Sequence, residues 1–382
     1  MHVFIDETIF EMQRFGGISR YFSELVKELA KLQGVKVVLY VGARSSNIYI
    51  ERLEGVSSVR IVRSPSLCWL PSFLVTFIQS LNRKLVFIRH CWRQEDVVYH
   101  PSYFEVDPLI RRLADGLVLT VHDLIYETVK PNPRKKKLLR RRHLQSMADG
   151  IVTVSNSTAR DLSLFNPEIA SRVSVTPLSA SMPVLSTHMG RSDFPMPSFY
   201  LFVGTRKGYK RGDLAIAALH SIHLSGQSDQ HLLFVGGGDF SEQESALIRS
   251  LGLTDFVSQE NLSDEDLSAA YARTIALVFP SEYEGFGLPV LEAIHYECPV
   301  IAQAVSSIPE VGGDWPVYFE SSCVDGLAHA MKEVSARGRS QFAAEKSSFR
   351  IKQIQAFSWK QTAEKTLIAY RKTLASRSAS RV

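Results

Sequence analysis

The sequence predicts an α/β protein built from two doubly wound parallel sheets, and three observations carry that prediction. Short β-branched runs alternate with helix-length amphipathic segments along the whole chain, the pattern of parallel strands covered by helices on both faces. The alternation stops over 182–197, where Pro, Ser, Met and Gly replace any apolar period, and then begins again. The chain has 382 residues, 45% of them hydrophobic and 22% charged, which suffices to bury two cores without disulfides or metals.

In the first half the strands read as 2–5, 35–41, 97–100, 117–121, 151–154 and 173–177, with 18–31 the clearest helix between them. In the second half they read as 200–203, 231–235, 275–280, 299–302 and 317–319, each followed by a helix-compatible stretch. The expected domains are therefore 1–185 and 197–350, two Rossmann-like units facing across a cleft, since such sheets bind ligands at the carboxyl ends of their strands. The remaining 351–382 is expected to be a helix packing back toward the first domain.

Composition narrows the function classes. The four cysteines, Cys68, Cys91, Cys298 and Cys323, form no C-x-x-C pair, which argues against a zinc ribbon, a redox dithiol or a disulfide framework and favours a reducing cytoplasm. The start lacks the basic and long apolar regions of a signal peptide. The most apolar stretch, 67–78, is broken by Pro71 and falls well short of the roughly 20 residues a spanning helix needs. Residues 1–190 hold 25 basic and 17 acidic side chains and the rest 19 and 22, so the first half is expected to meet something anionic.

The densest chemistry lies in Pro280-Ser-Glu-Tyr-Glu-Gly-Phe-Gly-Leu-Pro-Val-Leu-Glu292, which leaves a strand and runs through glycines into a helix. Gly285 and Gly287 permit close backbone approach, and the N–H groups of a helix beginning near Leu288 suit phosphate oxygens. Glu284 and Glu292 can face one ligand as acceptors for sugar hydroxyls; each alone also reads as a helix cap or a surface helix residue. Gly236-Gly-Gly-Asp239 is not G-x-G-x-x-G and reads as a tight turn. With no H-x-x-x-H or Asp-x-Asp pattern at a strand end, no metal is expected.

This spacing, E-G-F-G-L-P-x-L-E, resembles the signature of retaining glycosyltransferases of the GT-B fold, the family numbered four. Phe15-Gly-Gly-Ile-Ser-Arg-Tyr21, Tyr99-His-Pro-Ser102, Thr120-Val-His-Asp-Leu124, Thr153-Val-Ser-Asn-Ser157, Phe202-Val-Gly-Thr-Arg-Lys-Gly-Tyr-Lys210 and Phe234-Val-Gly-Gly-Gly238 stand in the family's order around it. The resemblance implies that Glu284 contacts donor-sugar hydroxyls and Glu292 the ribose. It places the backbone around Phe286 to Leu288 on sugar and phosphates, and makes Arg206 and Lys210 the pair that neutralises the leaving diphosphate. It brings Gly16, Gly17 and the helix they open to that diphosphate, and His122 to the reacting centre, with Ser155 a weaker rim candidate. Lys210-Arg211-Gly212 departs from the family's Lys-Asn-aromatic.

The function so implied is metal-independent, retaining transfer of a hexose from a nucleotide diphosphate sugar, without a cofactor, to a lipid-linked saccharide in polysaccharide or O-antigen assembly. GDP-mannose or a GDP-deoxyhexose is the first donor expectation. A GT-B-fold nucleotide-sugar epimerase and a non-catalytic nucleotide-sugar-binding protein are the alternatives. Residues 134–143 hold seven basic side chains, including Arg140, Arg141 and Arg142. They read as a solvated helix face or, with the aromatics Trp69, Phe73 and Phe77, as an acceptor and anionic-membrane contact at the inner face of the cytoplasmic membrane. No nucleic-acid recognition motif accompanies them.

Overall fold

The computed structural model describes residues 1–56, 58–66, 69–129, 135–181, 198–226, 229–320 and 323–379. The whole of the expected linker 182–197, Cys68 and the first residue of the basic run lie outside these.

The chain divides into two compact units, Met1–Leu178 with Ser358–Val382, and Ser179–Phe357. The first holds a sheet of β1 (His2–Ile5), β2 (Lys36–Val41), β3 (Val59–Arg63), β4 (Val97–Tyr99), β5 (Gly116–Val121), β6 (Gly150–Thr153) and β7 (Val173–Val175), ordered 3-2-1-4-5-6-7. The second holds β8 (Phe199–Val203), β9 (His231–Val235), β10 (Val257–Glu260), β11 (Leu277–Phe279), β12 (Val300–Gln303) and β13 (Val317–Phe319), ordered 10-9-8-11-12-13. Every pairing is parallel. Helices cover both faces, so the inner strands are apolar on both sides; all six residues of β5 are buried.

The unforeseen strands, β3 and β10, both lie at sheet edges. Their sequences, Val-Arg-Ile-Val-Arg and Val-Ser-Gln-Glu, carry the polar side chains that a half-solvated edge tolerates.

The expected 351–382 helix is corrected to two. Ser347–Ala356 stays with the second unit, Phe357 is extended, and Trp359–Ala379 belongs to the first. Ser358 makes the break, its Oγ accepting from the Gln361 amide. The last helix reaches the sheet because Gly116 and Gly150 leave room: a Cβ on Gly150 would lie 2.1 Å from Thr373 Oγ1. Tyr370 Oη sits 2.6 Å from His100 Nδ1 at the end of β4, and Arg377 pairs with Asp149 at 3.1 Å.

Candidate active site

In the second sheet the strand order reverses between β8 and β11, the position where a doubly wound sheet opens for ligand. The loops leaving these two strands carry Lys210 and Glu284. Their backbones are joined by Glu282 N–H donating to Tyr209 C=O at 2.8 Å, and Lys210 Nζ donates to Glu284 Oε1 at 2.5 Å, with side chains 14% and 10% exposed. The ammonium also lies over the Phe279 ring, 5.3 Å from its centre. Ser306 and Ser307, after β12, both donate to the Glu284 carbonyl, the latter at 3.0 Å. No motif marked these serines; the one local signal is Ser306's left-handed backbone at φ 53°.

Beyond Gly285, Phe286 is buried edge-on to Phe357 with ring centres 5.6 Å apart. Gly287 turns the chain at φ 94°, and a Cβ there would meet Ile308 Cδ1 at 2.6 Å. The helix Leu288–His295 starts immediately after it. Glu292 is not a surface helix residue: it is 5% exposed and accepts from Tyr271 Oη at 2.9 Å.

Arg206 is placed differently from the expected pair with Lys210. It is buried, and its Nε donates to Glu244 at 2.8 Å while NH1 and NH2 donate to the carbonyls of Gly236, Gly238 and Asp239, each at 2.9 Å. Four of its five N–H groups are thus spent, three on the loop after β9 and one on the helix that follows it. Gly236, Gly237 and Gly238 all have φ near +80° (82°, 78° and 72°), so this triple-glycine turn leaves carbonyls facing one guanidinium. Although burial opposes it, hydrogen bonds from Arg206 and from the Ser241 hydroxyl and amide hold the Glu244 carboxyl down at about 2. Arg211, the departure from the family pattern, takes φ 53° and pairs with Glu282 at 2.6 Å.

In the first unit, Gly16 caps the helix Gly17–Leu29. A Cβ on Gly16 would collide with the Gln13 side chain, whose Oε1 accepts the Ser19 amide at 3.2 Å, so Gln13 occupies an N–H of the turn expected to face phosphate. His122 follows β5 and packs edge-on to Tyr21, ring centres 5.0 Å apart. Its buried Nε2 has no partner among the described residues, and burial, then Arg141, pushes its pKa down to about 3. His100, buried between Tyr370 and Thr120, is likewise lowered to about 3 by burial. Ser155 serves as a helix cap, accepting from the Thr158 amide.

Arg141 overturns the reading of the basic run as one exposed contact. It is 5% exposed, lies 4.5 Å over the Phe104 ring, and donates to the Asp123 carbonyl at 2.9 Å. Arg140 is exposed, and Arg142 is half-buried over Phe165. Sequence spacing missed this because a helix in which three successive residues are basic must turn one of them inward. Among the described residues no group of three or more His, Cys, Asp or Glu is placed to hold a metal ion.

Two all-parallel sheets of Rossmann order, with a lysine–glutamate pair at the crossover of the second, give the chain the GT-B fold. Residues 15–178 match the family model described as Glycosyltransferase Family 4, and residues 188–347 match Glycosyl transferases group 1. The chain belongs to glycosyltransferase family 4. It is 26% identical to the O-antigen chain mannosyltransferase B of Escherichia coli, over 93% of this chain and 96% of that one. It is also 26% identical to a D-inositol 3-phosphate glycosyltransferase of Kineococcus radiotolerans, over 96% and 92%. Sucrose-phosphate synthase of Thermosynechococcus elongatus shares the fold, with a TM-score of 0.72 at 19% identity over 98% and 99% of the two chains.

Proposed function

We propose that this glycosyltransferase moves a hexose, mannose or a 6-deoxyhexose, with retention and without a metal, from a nucleotide diphosphate sugar to a lipid-linked saccharide in polysaccharide assembly. The observation that carries the reading is the Lys210–Glu284 pair at the β8–β11 crossover. As the bond from the anomeric carbon to phosphate breaks, the departing diphosphate gains charge, which a lysine at the crossover can neutralise. Lys210 then leaves Glu284 for the phosphate, and the freed carboxylate accepts donor-sugar hydroxyls. Glu292, held by Tyr271, would take the ribose. Arg206 acts as a positioning residue that shapes the triple-glycine turn. The mannose assignment draws on the Escherichia coli relative, and the anionic membrane surface would be where a lipid-linked acceptor is met.

Titration of GDP, UDP, ADP and dTDP sugars into the wild type and Lys210→Ala tests this. Binding and turnover of one donor class, with kcat lowered in the variant, supports it; binding of none overturns it. Proton coupling at the new linkage reads the anomeric outcome, and inversion would contradict retention.

A further inference from the structure

Trp69, Phe73, Phe77, Leu81 and Leu85 recur at every fourth position along the helix Ser72–His90 and the turn before it, and all five are exposed, by 76%, 70%, 68%, 50% and 55%. Successive members of a four-residue row are neighbours on a helix surface, and because four residues overshoot one turn the row winds gradually round the axis, so a helix roughly 28 Å long carries one continuous apolar ridge. Single exposed apolar residues need no explanation, but a contiguous row does. The inner face of the same helix is already committed: Val75, Val86 and Phe87 are buried, Gln79 and Arg83 bind Glu7 at 3.1 and 2.8 Å, and Arg83 also binds Asp107 at 3.1 Å. The stripe is therefore not a misdirected core face.

Charge says what covers it. From 64 to 94 there is no Asp or Glu. The fourfold interval continues from Leu85 into Arg89 and Arg93, and Arg89 and His90 line a groove of about 780 Å³ together with His2, Lys36 and Arg60. No carboxylate lines that groove. An apolar row running into a cationic groove matches acyl chains beside anionic headgroups, and no helix of the described residues is long and apolar enough to cross a membrane.

We infer that the outer face of Ser72–His90, with the Lys36–Arg60–Arg89 groove, is the surface that lies on an anionic phospholipid bilayer, in place of Arg140 to Arg142. The inference rests on the membrane partner proposed above and assigns its site.

Cosedimentation with phosphatidylcholine vesicles, with and without phosphatidylglycerol, tests it at low salt. Phe73→Ser with Phe77→Ser should lower partitioning on the order of 10²-fold. Lys36→Gln, Arg60→Gln and Arg89→Gln together should do the same on phosphatidylglycerol vesicles only, about fivefold per cation, and salt should mimic them. Arg140→Ser with Arg142→Ser should stay within about twofold. Apart from the half-buried Arg142 these residues are at the surface, so the melting temperature of the Phe73/Phe77 and Lys36/Arg60/Arg89 variants should hold, and bromolipid quenching of Trp69 should vanish in the Phe73/Phe77 variant. Partitioning that depends on Arg140 and Arg142 and not on Phe73 and Phe77 overturns the inference, as does a wild-type dimer that the Phe73/Phe77 change disperses. Absent vesicle binding with intact turnover of a soluble acceptor sinks this surface alone; intact binding without any donor turnover sinks the transferase reading alone.

Discussion

The two units share one strand order, with a seventh strand added in the first, yet differ in the polar groups they place behind their central strands. In the second, cations and carboxylates close on each other: Lys210 on Glu284, Arg206 on Glu244, Arg211 on Glu282. In the first, Glu7 behind β1 also closes on Arg83, but the groups behind β4 and β5 are histidines kept neutral by burial, His100 tied to Tyr370 and His122 with one nitrogen unpartnered. A shared topology thus specifies where loops gather, while the side chains on them decide whether a loop cluster is prepared for charge or for neutral hydrogen bonding.

The largest effect expected from breaking this contrast is at Lys210. Lys210→Ala should lower kcat on the order of 10² to 10³-fold, and Glu284→Gln nearly as much. Because the two side chains share one contact, the double variant should fall well short of the product; steady-state kinetics at saturating donor distinguishes the outcomes. An additive pair would mean that the two act independently.

Arg206 sharpens the comparison within the second unit. Removing it strands Glu244 and three loop carbonyls, so Arg206→Ala should cost about 3 kcal/mol in urea unfolding. Glu244 also sets a pH dependence: its folded pKa is depressed to about 2, so the stability it contributes is full above about pH 4.5 and is lost as pH falls toward 2. Glu244→Gln should flatten that acid limb. In the first unit the sign is the same but the window is higher. His100 and His122 are lowered to about 3, so between pH 6.5 and 3 the unfolded chain binds protons that the folded one does not, and stability falls by about 1.4 kcal/mol per pH unit for each. Substituting either with Asn should remove its share of the slope.

Among the three arginines of the basic run, Arg141→Ser should destabilise by about 2 kcal/mol through lost contacts with Phe104 and the Asp123 carbonyl. Arg140→Ser should stay within about 0.5 kcal/mol. Gly287→Ala should cost about 1 to 2 kcal/mol from a left-handed backbone, with the added Cβ pressing on Ile308 and kcat changing through Glu284; calorimetry and kinetics read the two parts.

How far the sequence reveals this depends on burial. Strands with apolar residues on both faces, such as β5 and β9, stand out as runs; β3 and β10 do not, because an edge strand carries polar side chains and resembles a loop. At the candidate site, the glycines and Glu284 are visible as a string because they lie in one loop. Tyr271, Glu244 and Ser306 come from separate elements, and nothing in local spacing links them to Glu292, Arg206 or Glu284. Arg141 and Arg140 look alike in sequence and differ only by a hundred degrees of helix rotation.

The closing of the first unit by Trp359–Ala379 has a consequence for synthesis. The second unit is continuous in the chain, whereas the first needs residues from both ends. A ribosome therefore delivers all of the second unit before the helix that covers Gly116, Gly150 and His100 emerges, reversing the usual amino-terminal-first order. Until release, the early-made sheet waits with the face that receives Tyr370 open to water, and the nascent protein passes through a stage in which its later half is finished and its earlier half is not.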